Sequence, residues 1–327
     1  MNQEKIKQLE ETVTSNYSNI TGIVVQKNGI KLYENYFNGF AADDAAHVYS
    51  VTKSVLSALI GIAIDKGHIK SVDQNVLDFF PDYSVKTSER TIQDVTIKNL
   101  LTMTAPYKYE SEPYEEFFAS DNWIQAALDL LGGEEHTGKF LYAAIIGTHI
   151  LSGILVKATG QPILDFAMEN LLSPLGINVT HNVVFRNAKE QIAWSAKDKH
   201  TRGWVVDPQG INTASWGLTL TPSDMAKIGQ LYLNGGTWDG QRVISDRWID
   251  ESTKEHSRWE QLNLAYGYLW WIIDDKESSY AAMGDGGNVI YVNTKKQLVV
   301  SIASLFLPDA KDRIELIIEC IEPIFED

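Results

Sequence analysis

The sequence predicts an α+β fold: an antiparallel sheet flanked by helices, with an inserted, mostly helical domain. Three observations carry this prediction. Strand patterns cluster near both ends of the chain, helical patterns fill the stretch between, and tight turns that join successive strands impose antiparallel pairing. The resulting division is a discontinuous α/β lobe, residues 1–70 and 256–327, around an inserted mainly helical lobe, residues 71–255.

Taken in order, residues 1–18 read as a charged amphipathic helix with Ile6, Leu9 and Val13 on one side. Two strands follow, from Gly22 and from Ile30, joined by the hairpin pair Asn28-Gly29. Ser50 to Lys66 is apolar at Val51, Val55, Ala58, Leu59 and Ile62, the pattern of a buried helix. Helices are expected at 96–102, 122–131, 148–158 and 223–233, the last opening with Pro222-Ser223-Asp224. Strands are expected again at 266–273, 289–292 and 298–305, before a closing helix over 311–321.

Composition narrows the function. The 327 residues hold 28 Lys+Arg against 43 Asp+Glu, a net charge of −15, which argues against a nucleic-acid partner. Hydrophobic residues at 44% and charged ones at 22% describe a globular chain with a sizeable core. The lone Cys320 excludes an intrachain disulfide and a multi-cysteine zinc site. Histidines 47, 68, 136, 149, 181, 200 and 256 show no metal-ligand spacing, so each reads as a surface or packing residue, and no metal is expected. The amino terminus lacks the apolar region of a secretory signal and no run is long enough to cross a bilayer. A cytoplasmic protein with no membrane partner is the expectation.

One short pattern carries chemistry. Ser50-Val51-Thr52-Lys53 is the sole Ser-x-x-Lys, placed where strand gives way to apolar helix. Residues three apart share a helix face, so hydroxyl and amine can meet, and an amine held against buried surface loses its proton more easily and can act as a base. The Ser50 N–H at the helix start is free to stabilise an oxyanion. Taken alone, the four residues describe an N-capping serine and a surface lysine more readily.

The surrounding segment, Val48 to Gly61, resembles the nucleophile helix of the serine β-lactamase and penicillin-binding-protein superfamily, particularly its class C-like and esterase-like branch. Further segments resemble the family in its usual order: Val72 to Pro81, Ile97 to Thr104, Gly217 to Gly229 and Tyr266 to Trp271. The resemblance implies a β-lactamase/transpeptidase-like fold with Ser50 as nucleophile and Lys53 as base. In the family a second motif begins with Tyr, usually Tyr-x-Asn, before a helix ending in Thr-Gly. Tyr142 matches that Tyr ahead of Thr159-Gly160, and the implied role is proton relay to the leaving group; Ala144 stands at the Asn position. A core tyrosine packed under a helix is the other reading.

The third motif, Lys-Thr-Gly or His-x-Gly in relatives, is matched best by Ala282 to Asn288. Neither Lys nor His is present, and Met283 stands near that place. The resemblance implies that Gly284, Asp285 and Gly286 line the substrate, with the Asp285 N–H as second oxyanion donor; a plain Gly-rich hairpin fits the same residues. Losing the Asn and the cation removes groups that bind the acylamide and carboxylate of β-lactams. The expected function is therefore a serine hydrolase forming an acyl-enzyme on a small neutral ester or amide, with no cofactor. A D-Ala-D-Ala peptidase or β-lactamase, and a non-catalytic binding domain on the same fold, are the alternatives. Segment 105–120, aromatic and acidic, reads as a lid over the cleft or a surface loop. Trp204, Trp216, Trp270 and Trp271 are expected near the cleft from family position.

Overall fold

The computed structural model describes residues 3–86, 89 and 91–326. The chain opens on α1 (Gln3–Asn16), then β1 (Ile20–Lys27) and β2 (Ile30–Tyr36). The connection Asn28-Gly29 has φ of 52° and 76°, the left-handed pair a two-residue hairpin turn requires. Next come β3 (Ala46–His47) and α2 (Val51–Asp65), followed by α3 (Ile97–Leu101), α4 (Tyr114–Ala119), α5 (Trp123–Leu130), α6 (Ile146–Thr159) and α7 (Ile163–Ala167). The middle of the chain continues with β4 (His181–Val183), α8 (Ala188–Ser195), β5 (Gly203–Val205), β6 (Thr219–Leu220), α9 (Pro222–Leu233), β7 (Thr237–Trp238), β8 (Gln241–Arg242) and α10 (Asp246–Ser252). It closes with β9 (Ser257–Trp259), β10 (Leu264–Tyr266), β11 (Trp271–Asp274), β12 (Ser279–Gly284), β13 (Asn288–Asn293), β14 (Leu298–Ser304) and α11 (Arg313–Leu316), which continues as a π-turn over Ile317–Ile321.

Eight strands form one antiparallel sheet in the order β2-β1-β14-β13-β12-β11-β10-β9. Pairing β1 against β14, with Val25 opposite Val300, joins the two ends of the chain within the sheet, one strand in from the β2 edge. Period-two alternation assigns the faces. Val289, Tyr291, Val300 and Ile302 meet Leu9 and Val13 of α1 and Leu316, Ile317 and Ile321 at the C-terminus. Ile290, Val292, Val299 and Ala303 face the larger core that holds α2 and α9. The fold is thus helix on both faces of an antiparallel sheet, as the sequence predicts.

One expected strand is two. The run 266–273 is interrupted because its middle bonds away from the sheet: Tyr268 N–H donates to Ser252 O, Leu269 N–H to Leu101 O, and Ser54 Oγ to Leu269 O. Leu269 takes φ 60°, and a Cβ on Gly267 would lie 2.2 Å from Ser252 O, so glycine is needed there. Alternation alone could not show this, since all the residues involved are apolar and buried.

Helix α9 lies inside the segment 71–255 yet packs across β14, β13 and β1. Its contact is close because Gly229 faces the sheet, where a Cβ would fall 2.6 Å from Val299 Cγ1 and 2.8 Å from Ile290 Cγ2. Gly229→Val should force helix and sheet apart and destabilise the protein by about 1–3 kcal/mol, the usual cost of overpacking, measured by urea denaturation.

Candidate active site

Helix α2 begins beside the sheet end of β12. Every residue from Val51 to Ala63 is buried, so the helix runs through the core rather than along the surface. Ser50 caps it at φ −69°, makes no side-chain capping bond, and follows Tyr49 at φ 49°. A bulky residue in the left-handed region is strained, and the sharp turn it makes leads the chain straight into Ser50 and the helix start. Among the described residues the Ser50 N–H has no hydrogen-bond partner.

One helical turn on, the Lys53 amine donates to Ser50 Oγ at 2.7 Å and lies 3.4 Å from Ser215 O. Lys53 is only 2% exposed, and burial pulls its pKa down to about 8 against the opposing pull of the Asp285 and Glu112 carboxylates. The Tyr142 phenol stands near the Ser50 hydroxyl, and its ring centre is 5.5 Å from the Lys53 amine. Burial raises the Tyr142 pKa well above the usual tyrosine range, with a smaller opposing effect from Ser50. The geometry therefore gathers a hydroxyl, an amine that is neutral in good part near pH 8, and a phenol that keeps its proton.

The Gly-rich segment meets this group from the sheet. A Cβ on Gly284 would sit 2.4 Å from Val48 O and 3.0 Å from Ser50 N, so only glycine lets β12 pass the nucleophile turn this closely. Asp285 follows at the surface, and its charge raises the pKa values of Tyr49, Lys53, Tyr114 and Tyr142. Gly286 faces Leu305 and Phe306, with φ 74°, and its carbonyl accepts from Asn19 and Arg313. Of the predicted residues, Ser50, Lys53, Tyr142, Gly284 and Asp285 thus converge, while Gly286 turns the chain behind them.

Several supporting groups escaped sequence reasoning. Ser215 belongs to a turn held by His47 Nε2, which accepts from Gly217 N–H at 2.8 Å, and by Trp204 Nε1, which donates to Thr213 O at 2.8 Å. Burial lowers the His47 pKa to about 3, so the ring stays neutral with its hydrogen on Nδ1. Glu112, in the acidic segment, accepts from the N–H groups of Ala144, Ile145 and Ile146 at 2.7 to 3.2 Å. It caps α6 from outside the helix, as the helix's own Ile145 cannot. The only available signal was Glu112 itself, thirty-odd residues from its partners.

A cavity of about 750 Å³ opens beside Tyr142, walled by Tyr109, Glu112, Tyr114, Phe140 and Trp259. Segment 105–120 therefore contributes a wall of the cleft. Tyr142 stacks on Trp259 at 6.1 Å and 8°, and meets Trp271 tilted by 32° at 5.6 Å. A smaller cavity of about 270 Å³ is lined by His47, Tyr49 and Phe306. Of the tryptophans expected near the cleft, Trp271 packs against Tyr142, while Trp204, which bonds the turn that carries Ser215, and Trp270 are fully buried. Among the described residues no group of three or more His, Cys, Asp or Glu is placed to hold a metal, and no helix is long and apolar enough to cross a membrane.

Comparison with known proteins matches residues 12–318 to the Beta-lactamase family. The 6-aminohexanoate-dimer hydrolase of Paenarthrobacter ureafaciens is 23% identical over 328 residues, 93% of this chain and 76% of that protein. An octameric penicillin-binding protein homologue from Pyrococcus abyssi has the same fold, with a TM-score of 0.71 at 20% identity over 98% of this chain and 76% of that one. So does a family VIII carboxylesterase, with a TM-score of 0.72 at 17% identity over 98% of this chain and 96% of the other.

The Glu112 cap is directly testable. Glu112→Ala should release the three amides of residues 144–146, raising their hydrogen exchange at least tenfold, and lower stability by about 1–2 kcal/mol, as loss of a cap does.

Proposed function

The chain belongs to the beta-lactamase family, and from that premise we propose that it is a serine hydrolase that cleaves esters or amides through an acyl-enzyme. The observation that carries the proposal is the 2.7 Å contact between a buried Lys53 amine and the Ser50 hydroxyl. The similarity to a 6-aminohexanoate-dimer hydrolase and to the fold of a carboxylesterase supports the substrate class.

The pKa directions divide the roles. Lys53, lowered to about 8, is the base; Tyr142, raised by burial, keeps its proton and is the relay. Lys53 takes the Ser50 proton as Oγ bonds to the carbonyl carbon, and the carbonyl electron pair moves to oxygen. That oxyanion lies between the N–H groups of Ser50 and Asp285. Collapse breaks the bond to the alcohol or amine, which takes a proton from Tyr142 while the Lys53 ammonium replaces it. Water then repeats the sequence on the acyl-enzyme and releases the acid.

Two departures steer the reading away from β-lactams and D-Ala-D-Ala peptides. Ala144 offers no side-chain amide, and its N–H is taken by Glu112. Met283 offers no cation for a carboxylate.

Ser50→Ala should abolish turnover of a p-nitrophenyl ester while keeping a cooperative thermal unfolding transition, and a fluorophosphonate should label Ser50 in the native protein. An unlabelled, inactive protein would instead identify a binding domain. Since the base must be neutral, the rate should climb with pH and level off above about pH 8. Lys53→Arg, which stays charged at every working pH, should lose about 10²–10⁴-fold in kcat across the whole profile.

A further inference from the structure

We infer that Arg313 is a positioning residue for the reaction: from α11 it fixes the glycine turn that carries the second oxyanion donor. The inference rests on the serine hydrolase reading and adds to it a residue that touches no substrate.

The need for such a residue comes from the turn itself. The proposed donor, the Asp285 N–H, lies between Gly284 and the pair Gly286-Gly287, whose φ values are 74° and 89°. Close approach to Val48 O and Ser50 N requires glycine at 284, and Leu305 O, 2.5 Å from where a Cβ would stand, requires it at 286. Glycines have the most backbone freedom to lose, so this turn cannot hold an N–H in place by its own stiffness. An oxyanion donor must nevertheless stand about 2.7–3.1 Å from the oxygen it stabilises.

Bonds from outside supply the missing stiffness. The Asp285 carbonyl accepts from Asn288 Nδ2 at 2.8 Å. The Gly286 carbonyl accepts from Asn19 Nδ2 at 2.7 Å and from Arg313 Nη2 at 3.3 Å, and the same Nη2 donates to Asn19 Oδ1 at 2.5 Å. Asn19 Nδ2 also donates to Leu305 O at 2.7 Å, which ties the turn to the end of β14. The guanidinium lies against Gly287, where a Cβ would fall 2.7 Å from Nε.

Burial shows how unusual this arginine is. It is 2% exposed, and among the described residues its hydrogen bonds run to Asn19 and to the carbonyls of Gly286 and Lys311, none to a carboxylate. A buried cation bonded to no carboxylate is costly, and an apolar side chain would pack there more cheaply. Burial lowers its pKa to about 10, which still leaves it charged at neutral pH. Charged donors make the stronger hydrogen bonds, and the carbonyl gripped here belongs to the residue after the oxyanion donor.

The test compares p-nitrophenyl acetate with its thionoester, O-(4-nitrophenyl) thioacetate, in which sulfur replaces the carbonyl oxygen. Both acylate Ser50 and release the same leaving group, but sulfur accepts hydrogen bonds poorly, so the ratio of their kcat/KM values reads the oxyanion donors. Wild type should prefer the oxygen ester about tenfold more than hydroxide does in solution. Arg313→Met, similar in bulk and uncharged, should lower that ratio about tenfold, a part of what losing a whole donor costs. Asn19→Ala removes the other donor to Gly286 and should lower the ratio too, which keeps the test open if Arg313→Met does not fold. Gly229→Val loosens the sheet elsewhere and should leave the ratio at its wild-type value. No oxygen preference in wild type, an equal loss for both esters in Arg313→Met (or in Asn19→Ala where only that variant folds), or a ratio lowered as far in Gly229→Val would overturn the inference. A wild type that hydrolyses neither ester and takes no fluorophosphonate at Ser50 would overturn the serine hydrolase reading itself.

Discussion

The structure turns on one contact, a lysine amine buried against a serine hydroxyl. The buried site, at 2% exposure, penalises the ammonium relative to water by about 3 kcal/mol, the free-energy equivalent of a pKa drawn down to about 8, which brings the neutral amine within reach near that pH. An amine in that state is a base in need of hydrogen-bond partners, and Ser50 Oγ and Ser215 O supply them. The rest of α2 exists to keep it there. The helix lies between β12 and β13 on one side and α6 and α10 on the other, which is why it is apolar along its whole buried length.

Holding Ser215 in place takes a chain of further contacts. The turn 213–217 ends on Gly217 at φ 91°, where a Cβ would fall 2.6 Å from Val205 Cβ, and β6 continues from it to pair Thr219 with His47. His47 therefore touches the turn twice, by its strand pairing and by its ring. A charged ring could not accept the Gly217 N–H, so the burial that keeps His47 neutral also maintains the backbone that steadies Lys53.

How much of this was legible in the sequence depended on how local each signal was. Asn28-Gly29, the apolar helix from Val51 and the spacing of Ser50 to Lys53 are local patterns, and the structure contains the hairpin, the helix and the contact they imply. Tyr142 and Asp285 were named from order along a resembling chain, not from any pattern of their own. Glu112, Ser215 and His47 were illegible as site residues because each acts through one backbone group or carboxylate on a distant segment. The break in 266–273 was hidden for a related reason: its residues are as apolar as a strand, and only tertiary bonds to Ser252 and Leu101 reveal the turn.

The two halves of the site are held by different means. Gly284 ends an interior strand with partners on both sides, β11 and β13, and Ser50 begins a helix buried throughout, so nucleophile and oxyanion donors sit on elements that cannot shift without disturbing the sheet. Tyr142 stands on a loop whose placement rests on aromatic stacking and on a carboxylate from segment 105–120 at the start of α6. In the proposed mechanism, attack on the carbonyl would draw on rigid parts, and proton delivery to the leaving group on an adjustable one. A protein built this way can change its leaving-group preference by altering the loop and the segment that caps α6, with the nucleophile's geometry untouched. That is a physical reason for one fold to host both a 6-aminohexanoate-dimer hydrolase and a carboxylesterase.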